Sequence, residues 1–357
     1  MIDFNFEKFI AYREEKEKNL RAFAVGGKRW IPVINQPDSF HWTDVCKTKE
    51  GSLDSQLSYL KDCMQTKSDL SFTYLEPWYG VGVYAAAFGC KYEFNKGESP
   101  KTRHIFSSMD ELKGFKAPKI SNCEEMSMVL DMIKYFKEKT GGYIDISLTD
   151  TQSTNDTASL ILDPCELFMA SISEPEELEP FLTKITDLII EFTEMQMGLI
   201  GGCLSLPGHI MLSDREFKGI AIADDNMAVI SPDSYNETAF PYNCRLSNHF
   251  GGISIHTCGN AGVNLKKLAS TPNLFMVDLA LGTAVDPTPN KAEEVVAAFS
   301  GTDTIVKVKV GDDELEKIEP LINSNVKMIV ELRMSGSIEE RNVRFERAKE
   351  RIGILQA

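Results

Sequence analysis

The chain alternates between short apolar runs and longer segments with the spacing of amphipathic helices. Several of the runs are apolar at every position, as strands covered on both faces must be, and the helical segments between them imply parallel crossovers. The pattern predicts a parallel α/β fold, either a closed barrel or a doubly wound sheet. The candidate strands are residues 30–34, 70–75, 143–148, 203–206, 219–223, 252–255, 274–281, 304–310 and 328–332.

Two segments stand outside this repeat. Residues 3–25 read as an amphipathic helix that ends at Gly26-Gly27, so that residues 1–27 form an N-terminal helical extension. Residues 89–122 lose periodicity and contain Gly97, Pro100, Gly114 and Pro118. This length is unusual for a simple connector, and we expect a partly ordered loop over the mouth of the barrel.

The clearest helix is expected from Glu174 to Leu199. Ser173 and Glu176 have the spacing of a capping box, and Gly201-Gly202 provides a stop signal. One apolar stripe, which should pack on the sheet, consists of Leu178, Phe181, Leu182, Ile185, Leu188, Ile189 and Phe192.

Composition narrows the class of protein. A chain of 357 residues with 43% hydrophobic content can form one large domain, residues 1–357. Its net charge of -15 opposes an extended phosphate backbone, so nucleic acid is not an expected partner. No apolar secretory core and no span of roughly 18 apolar residues occurs, which predicts a cytoplasmic protein without a membrane segment. The eight cysteines include no CxxC pair, which favours reduced thiols.

The most informative motif is His256-Thr257-Cys258, at the end of a predicted strand. The two-residue period of a strand places His256 and Cys258 on one face, and Gly259 and Asn260 then break the strand. Barrel enzymes keep their catalytic groups at such strand ends. Imidazole and thiolate are both good zinc ligands, so the motif favours a catalytic metal site; the alternative is a buried cysteine beside a hydrogen-bonded histidine.

Polar residues also come directly after other predicted strands, where they either converge on a site or serve as caps and hydrogen-bond acceptors. We predict catalytic roles for Glu76 and Asp225. The predicted substrate-binding residues are Trp78, Gln152, Asp224 and Asp278. The remaining histidines show no ligand spacing and are expected at the surface or in caps; they are His41, His104, His209 and His249.

The sequence resembles the uroporphyrinogen decarboxylase superfamily, most closely its branch of cobalamin-dependent (corrinoid) methyltransferases. The blocks that carry the resemblance lie between about residues 70 and 282; they are Leu75-Glu76-Pro77, Ala87-Phe88-Gly89-Cys90, Ser173-Glu174-Pro175-Glu176, Ala223-Asp224-Asp225 through Ile230-Ser231-Pro232 to Pro241-Tyr242, and Ile255-His256-Thr257-Cys258-Gly259-Asn260. The resemblance implies a parallel (β/α)8 TIM barrel. The His-x-Cys-Gly block is similar to the zinc site that activates a thiol methyl acceptor in the methyltransferase branch.

Two differences from the superfamily matter. The Arg-Gln-Ala-Gly-Arg run with which true decarboxylases bind porphyrin has no counterpart near residues 30–38, so decarboxylation of uroporphyrinogen is disfavoured. The methyltransferases also supply a further zinc-binding cysteine after the last strand, where this chain has Met334-Ser335-Gly336-Ser337-Ile338. Either a carboxylate such as Glu76 or Asp225 completes the zinc site, or zinc binding has been lost.

The resemblance implies transfer of a methyl group between a corrinoid and a small-molecule thiol or methylated substrate, with metal activation. No Asp-x-His-x-x-Gly sequence is present, so the corrinoid is expected on a separate protein. Two alternatives stay open: a metal-free lyase similar to uroporphyrinogen decarboxylase that acts on a carboxylated substrate, and a non-catalytic binding protein on the same barrel. The sequence leaves the substrate, the direction of transfer and the oligomeric state open.

Overall fold

The computed structural model describes residues 3–34, 45–95 and 99–356. Its strands are β1 (Trp30–Ile34), β2 (Tyr74–Leu75), β3 (Lys91–Glu93), β4 (Lys101–Arg103), β5 (Asp145–Ile146), β6 (Ile220–Ala223), β7 (Ile253–Thr257), β8 (Leu274–Ala280), β9 (Ile305–Gly311) and β10 (Lys327–Arg333). Its helices are α1 (Phe6–Val25), α2 (Lys49–Cys63), α3 (Val83–Ala87), α4 (Glu124–Thr140), α5 (Thr154–Ile161), α6 (Pro164–Ser173), α7 (Pro175–Ile200), α8 (Pro232–Thr238), α9 (Phe240–Phe250), α10 (Leu265–Leu268), α11 (Ala292–Phe299), α12 (Glu319–Ile322) and α13 (Ile338–Leu355).

Six parallel strands form the main sheet, in the order β1-β10-β9-β8-β7-β6, and β2 pairs with β5, also in parallel. The two sheets are joined where Ala223 of β6 donates its N–H to the carbonyl of Thr151 at 2.9 Å. On the other side, Ile34 N at the end of β1 donates to Ser68 Oγ at 3.1 Å, just before β2. The eight parallel strands are therefore arranged in sequence as in a (β/α)8 barrel, which confirms the predicted fold class.

The structure also explains the ninth candidate strand. In residues 203–206, Leu204 forms an isolated parallel bridge to Ile146, and Leu206 forms an antiparallel bridge to Asp214. These bridges join a connecting segment to the sheet edge and do not make a barrel strand, so this run is the one candidate in excess of the eight barrel strands.

The N-terminal extension covers the end of the barrel opposite its mouth. Helix α1 begins after Asn5, whose side chain accepts a hydrogen bond from Lys8 N at 2.9 Å. Arg13 on its buried face reaches Asp145, the first residue of β5, at 3.1 Å. Arg215 donates to the same carboxylate at 2.8 Å. Because Asp145 begins its strand, this ion-pair network fixes α1 to the N-terminal side of the barrel.

The long helix matches the prediction except at its start. All seven residues of the predicted apolar stripe are buried, and the helix ends at Gly201, whose φ of +63° is accessible to glycine. The predicted capping box is wrong, because Ser173 ends the preceding helix and donates to the carbonyl of Met169. Glu174 is the N-cap residue instead, and Pro175 fixes the first turn without needing an N–H partner.

Within the segment 89–122, β3 and β4 pair antiparallel as a hairpin. The ring of Tyr92 stacks on Tyr79, with centroids 5.6 Å apart. Residues 96–98 lie outside the described residues, and the place of this segment over the mouth stays a prediction. Among the residues that the structure describes, no helix is both long and apolar enough to span a membrane.

Candidate metal centre and active site

The sequence His256-Thr257-Cys258 ends β7, as predicted. His256 is buried in the strand, and Cys258 is the first, exposed residue after it. The chain turns at Gly259, where φ is +71° and an added Cβ would lie 3.0 Å from the Cβ of Ala228. The thiol and the imidazole are adjacent, with Cys258 Sγ 3.2 Å from His256 Nε2.

Asp225, the second residue after β6, completes a group of three side chains that could hold a metal ion. Its Oδ1 accepts a hydrogen bond from Cys258 N at 2.7 Å and lies 3.7 Å from His256 Nε2. One ligand atom from each of the three lies within 4.8 Å of the others. Of the two carboxylates considered from sequence, Asp225 is therefore the one beside the His-Cys pair, whereas Glu76 contacts other residues. In the loop after β10, Ser337 serves as the N-cap of α13.

The geometry of this triad fits a zinc ion. Ligand atoms in a tetrahedral zinc site with N, O and S donors are roughly 3.3 to 3.6 Å apart. The distances of 3.2 and 3.7 Å measured from His256 Nε2 are close to those values. Burial, reinforced by Asp225, raises the pKa of the Cys258 thiol to about 12, so a cation is needed to displace its proton at neutral pH. The thiolate and carboxylate would then match the charge of a dication.

Asp278 on β8 orients His256, because its Oδ2 lies 2.6 Å from Nδ1 and leaves Nε2 for the triad. Lys307 and Lys309 on β9 each place Nζ 2.7 Å from this carboxylate. Burial opposes ionisation of Asp278, but the two lysines and His256 hold its pKa well below its usual range. Lys307 also pairs with Glu331 on β10. Asp278, predicted to bind substrate, thus lies fully buried behind the histidine.

Hydrogen bonds to Asp156 and from Asn264 hold the loop that carries Asp225 in place. Both oxygens of Asp156 accept backbone hydrogen bonds, from Asp225 N at 2.6 Å and from Asn226 N at 2.8 Å. Asn264, after β7, donates to the carbonyl of Met227 at 2.8 Å. Because the loops after β6 and β7 are tied to each other, the carboxylate and the thiol keep their relative positions.

Asp224, the other half of the Asp-Asp pair, is fully buried. Its two oxygens accept hydrogen bonds from Ser153 Oγ at 3.1 Å and Asn243 Nδ2 at 2.7 Å. Burial raises its pKa to about 6. These contacts tie the loops after β5 and β6 to α9; a direct contact with substrate stays a prediction.

A second group of titratable side chains lies at the ends of β2 and β5. Glu76 Oε1 is 2.8 Å from His209 Nδ1, and Asp150 Oδ1 is 3.6 Å from His209 Nε2. Burial raises the pKa of Glu76, which His209 opposes. Burial alone would lower the pKa of His209, but Asp150, Glu76 and then Asp278 raise it to about 9. The ring is therefore an imidazolium at neutral pH.

Two predicted substrate-binding residues hold Asp150. Trp78 donates its indole N–H to Oδ2 at 3.1 Å, and Gln152 donates its amide to Oδ1 at 2.8 Å. Both side chains are buried at the strand ends. The structure thus brings Glu76, Trp78 and Gln152 together around one buried group, distinct from the metal triad.

Four functional candidates in this region were not predicted from sequence. The expectation that His209 is a surface or capping residue is wrong, since its side chain is 11% exposed and lies between two carboxylates. The sequence holds a signal for Lys307 and Lys309, because they alternate with valines in an otherwise apolar strand and so share one face. Glu331 interrupts β10 in the same way. His41 lies outside the described residues.

Comparisons with known proteins agree with this architecture. Residues 77–206 match the family model described as uroporphyrinogen decarboxylase (URO-D). Among solved structures, the chain is similar to a methyltransferase from Methanosarcina mazei, with a TM-score of 0.65 and 16% sequence identity over 95% of this chain and 99% of that chain. No curated protein matches the chain significantly. The family match confirms the resemblance to the URO-D superfamily, and the structural match confirms the barrel; the triad lies beyond the matched segment and rests on its own geometry.

Proposed function

We propose that this protein, a barrel of the URO-D type with a preformed metal triad, is a metal-dependent methyltransferase that exchanges a methyl group with a corrinoid. The observation that carries the proposal is the convergence of Asp225, His256 and Cys258 within 4.8 Å at the mouth. Three protein ligands leave one coordination position for a substrate heteroatom, as in catalytic zinc sites. The likeness to a methyltransferase of the same fold supports the proposal.

The residues of the chain have distinct tasks in this proposal. A bound zinc ion would supply Lewis acidity, which lowers the pKa of a thiol or polarises a methoxy or amine group. Asp278 keeps the Nδ1 side of His256 occupied, so the ring faces the substrate position with Nε2. Glu76, Trp78 and Gln152, which follow β2 and β5, orient the substrate. Alignment is the main contribution of the barrel, because in-line methyl transfer depends on positioning.

We assign the corrinoid to a separate protein that docks over the mouth. The absence of an Asp-x-His-x-x-Gly sequence from the chain supports this assignment. Val229 and Val263 are exposed on the loops after β6 and β7, the loops that also carry Asp225 and Cys258. They provide apolar surface next to the place where the methyl group would be exchanged.

Metal content decides between this proposal and the two alternatives. We expect stoichiometric zinc in the purified protein, and its loss in Asp225→Ala, His256→Ala and Cys258→Ala. The matched controls Asp233→Ala, His249→Ala and Cys165→Ala, of the same residue types on exposed sites, should keep it. A folded wild-type protein that takes up no zinc would exclude the metal-dependent mechanism and favour the lyase.

Activity is tested with free cobalamins in place of the partner. The loss of the cobalt-carbon absorbance of methylcobalamin is monitored with a panel of thiols, and its appearance from cob(I)alamin is monitored with methylated donors. We expect transfer by the wild type and none by His256→Ala. Zinc binding without transfer to or from any compound would instead support the non-catalytic binding protein.

A further inference from the structure

His209 is a buried titratable group that the metal triad does not use. We propose that it is the general acid of the site, which protonates the leaving oxygen of an O-methyl donor substrate. The inference rests on the proposed methyltransferase function and deepens it, since it assigns both a substrate class and a direction: demethylation of a methoxy compound.

The backbone holds His209 in an unusual conformation. Gly208, His209 and Ile210 have φ values of +91°, +22° and +33°, and the last two are costly for residues with a Cβ. Neighbouring residues fix the loop: Ser213 Oγ accepts from Gly208 N at 2.9 Å, and Tyr74 donates to the carbonyl of Met211 at 2.8 Å. The fold thus maintains a strained backbone at His209, and this conformation directs the imidazole toward the strand ends that carry Glu76 and Asp150.

The charges around the ring are arranged to keep it protonated and directed. Glu76 and Asp150, which follow two different strands, each face one ring nitrogen, and the Asp278 carboxylate adds to their field. His209, Glu76 and Asp150 are buried charged groups. If the cluster only filled space, apolar side chains of similar volume would do so at a lower desolvation cost. The Nε2–Asp150 distance of 3.6 Å is longer than a hydrogen bond, so this N–H is not taken up by Asp150 and can serve another acceptor.

The loop that carries His209 also borders a small cavity. Ile210, the next residue, lines a cavity of about 60 Å³ together with Lys307, Lys309, Glu331 and Arg333. Those lysines hold the carboxylate behind His256. Asp278 is common to both groups, because it contacts His256 directly and its charge contributes to the raised pKa of His209.

The proposed demethylation balances in atoms, electrons and charge. The bond between the methyl carbon and the oxygen breaks, its electron pair stays on the oxygen, and the methyl carbon bonds to the reduced cobalt of the corrinoid. The oxygen takes the proton from His209, so that an alcohol or phenol leaves and the imidazole becomes neutral. Water then returns a proton to the ring. An alkoxide is a poor leaving group, which is why this reaction needs an acid where transfer to a thiol does not.

The test uses the zinc-loaded full chain with cob(I)alamin and a series of anisoles, whose ring substituents vary the acidity of the leaving phenol. His209→Gln is compared with His249→Gln, which changes a surface histidine paired with Glu194. We expect His209→Gln to lower kcat by roughly 10²-fold for the poorest leaving group. The loss should shrink as the phenol becomes more acidic, KM should change little and zinc content should not change.

The wild-type rate should fall as pH rises through about 9, and the variant should lack this step.

A second readout does not depend on activity. In ¹⁵N-histidine spectra, the His209 ring should carry protons on both nitrogens at pH 8, and Glu76→Gln should shift its titration to lower pH. An equal loss of rate for all anisoles, or a neutral His209 ring at pH 8, would overturn the inference. Wild-type transfer to thiols without demethylation of any anisole would overturn it while leaving the proposed function intact. Absence of all methyl transfer would overturn both.

Discussion

Nδ1 of His256 lies 2.6 Å from Oδ2 of Asp278, in a pair that is buried between two parallel strands. The contact fixes which nitrogen of the ring faces Cys258 and Asp225. Because Lys307 and Lys309 keep the carboxylate ionised, the histidine is supplied with a strong and permanent hydrogen-bond acceptor.

Replacing this acceptor should weaken metal binding without removing a ligand. For Asp278→Asn we expect zinc affinity to fall roughly 10- to 100-fold, because the ring loses both its orientation and part of its basicity. The affinity is measured by competition with a chromophoric chelator. Asp233→Asn, on exposed α8, is the control and should bind zinc as the wild type does. Equal affinities would show that the pair has no influence on the metal site.

Removing the charge of Lys307 should lower the free energy of unfolding more than most single substitutions do. Its Nζ pairs with Asp278 and Glu331 and is almost fully buried, so Lys307→Met removes a cation from two buried carboxylates, of which Asp278 keeps Lys309. We expect a loss of roughly 3 to 5 kcal/mol in the free energy of unfolding, measured with urea. The double variant Lys307→Met, Glu331→Leu should recover part of this loss. No recovery would mean that the cost comes from packing and not from an unpaired charge.

The barrel and one half of the site could be predicted from sequence because their signals are local. Apolar runs indicated the strands, and the two-residue spacing of His256 and Cys258 placed both on one face. The strands β2 and β5 are only two residues long, and the conformation of the segments after them is set by neighbours distant in sequence.

The position of His209 could not be predicted for this reason. Its partners, Glu76 and Asp150, lie 133 and 59 residues earlier in the chain, and they meet it only when the barrel brings the strand ends together. The choice between Asp225 and Glu76 as third ligand is the same kind of question. It depends on which loops are adjacent in the fold. Asp225 follows β6, which pairs with the strand β7 that carries His256, whereas Glu76 follows β2, which does not pair with β7.

Asp225 can be tested as a ligand by exchanging its donor atom. Asp225→Cys should keep zinc, because a thiolate replaces a carboxylate at unchanged net charge and is a good zinc ligand. It should also raise the preference for Cd²⁺ over Zn²⁺, since cadmium favours sulfur. Asp225→Ala should lose the metal, as measured by elemental analysis after dialysis. Loss of zinc in Asp225→Cys, with retention in Asp225→Ala, would show that this side chain is not a ligand.

Glu17, at the opposite end of the barrel, should make stability depend on pH. Burial and then Asp145 raise its pKa from the ordinary value of 4.5 to about 7, although Arg13 lies 3.7 Å away. The folded state therefore holds this proton more tightly than the unfolded state does, and stability falls as pH rises from 4.5 to 7. Glu17→Gln should unfold like the wild type below this window and be more stable by on the order of 2 to 3 kcal/mol above it. Urea unfolding at pH 4.5 and pH 8, with exposed Glu7→Gln as the control, measures the difference; a constant offset between variant and wild type would show that Glu17 titrates alike in both states.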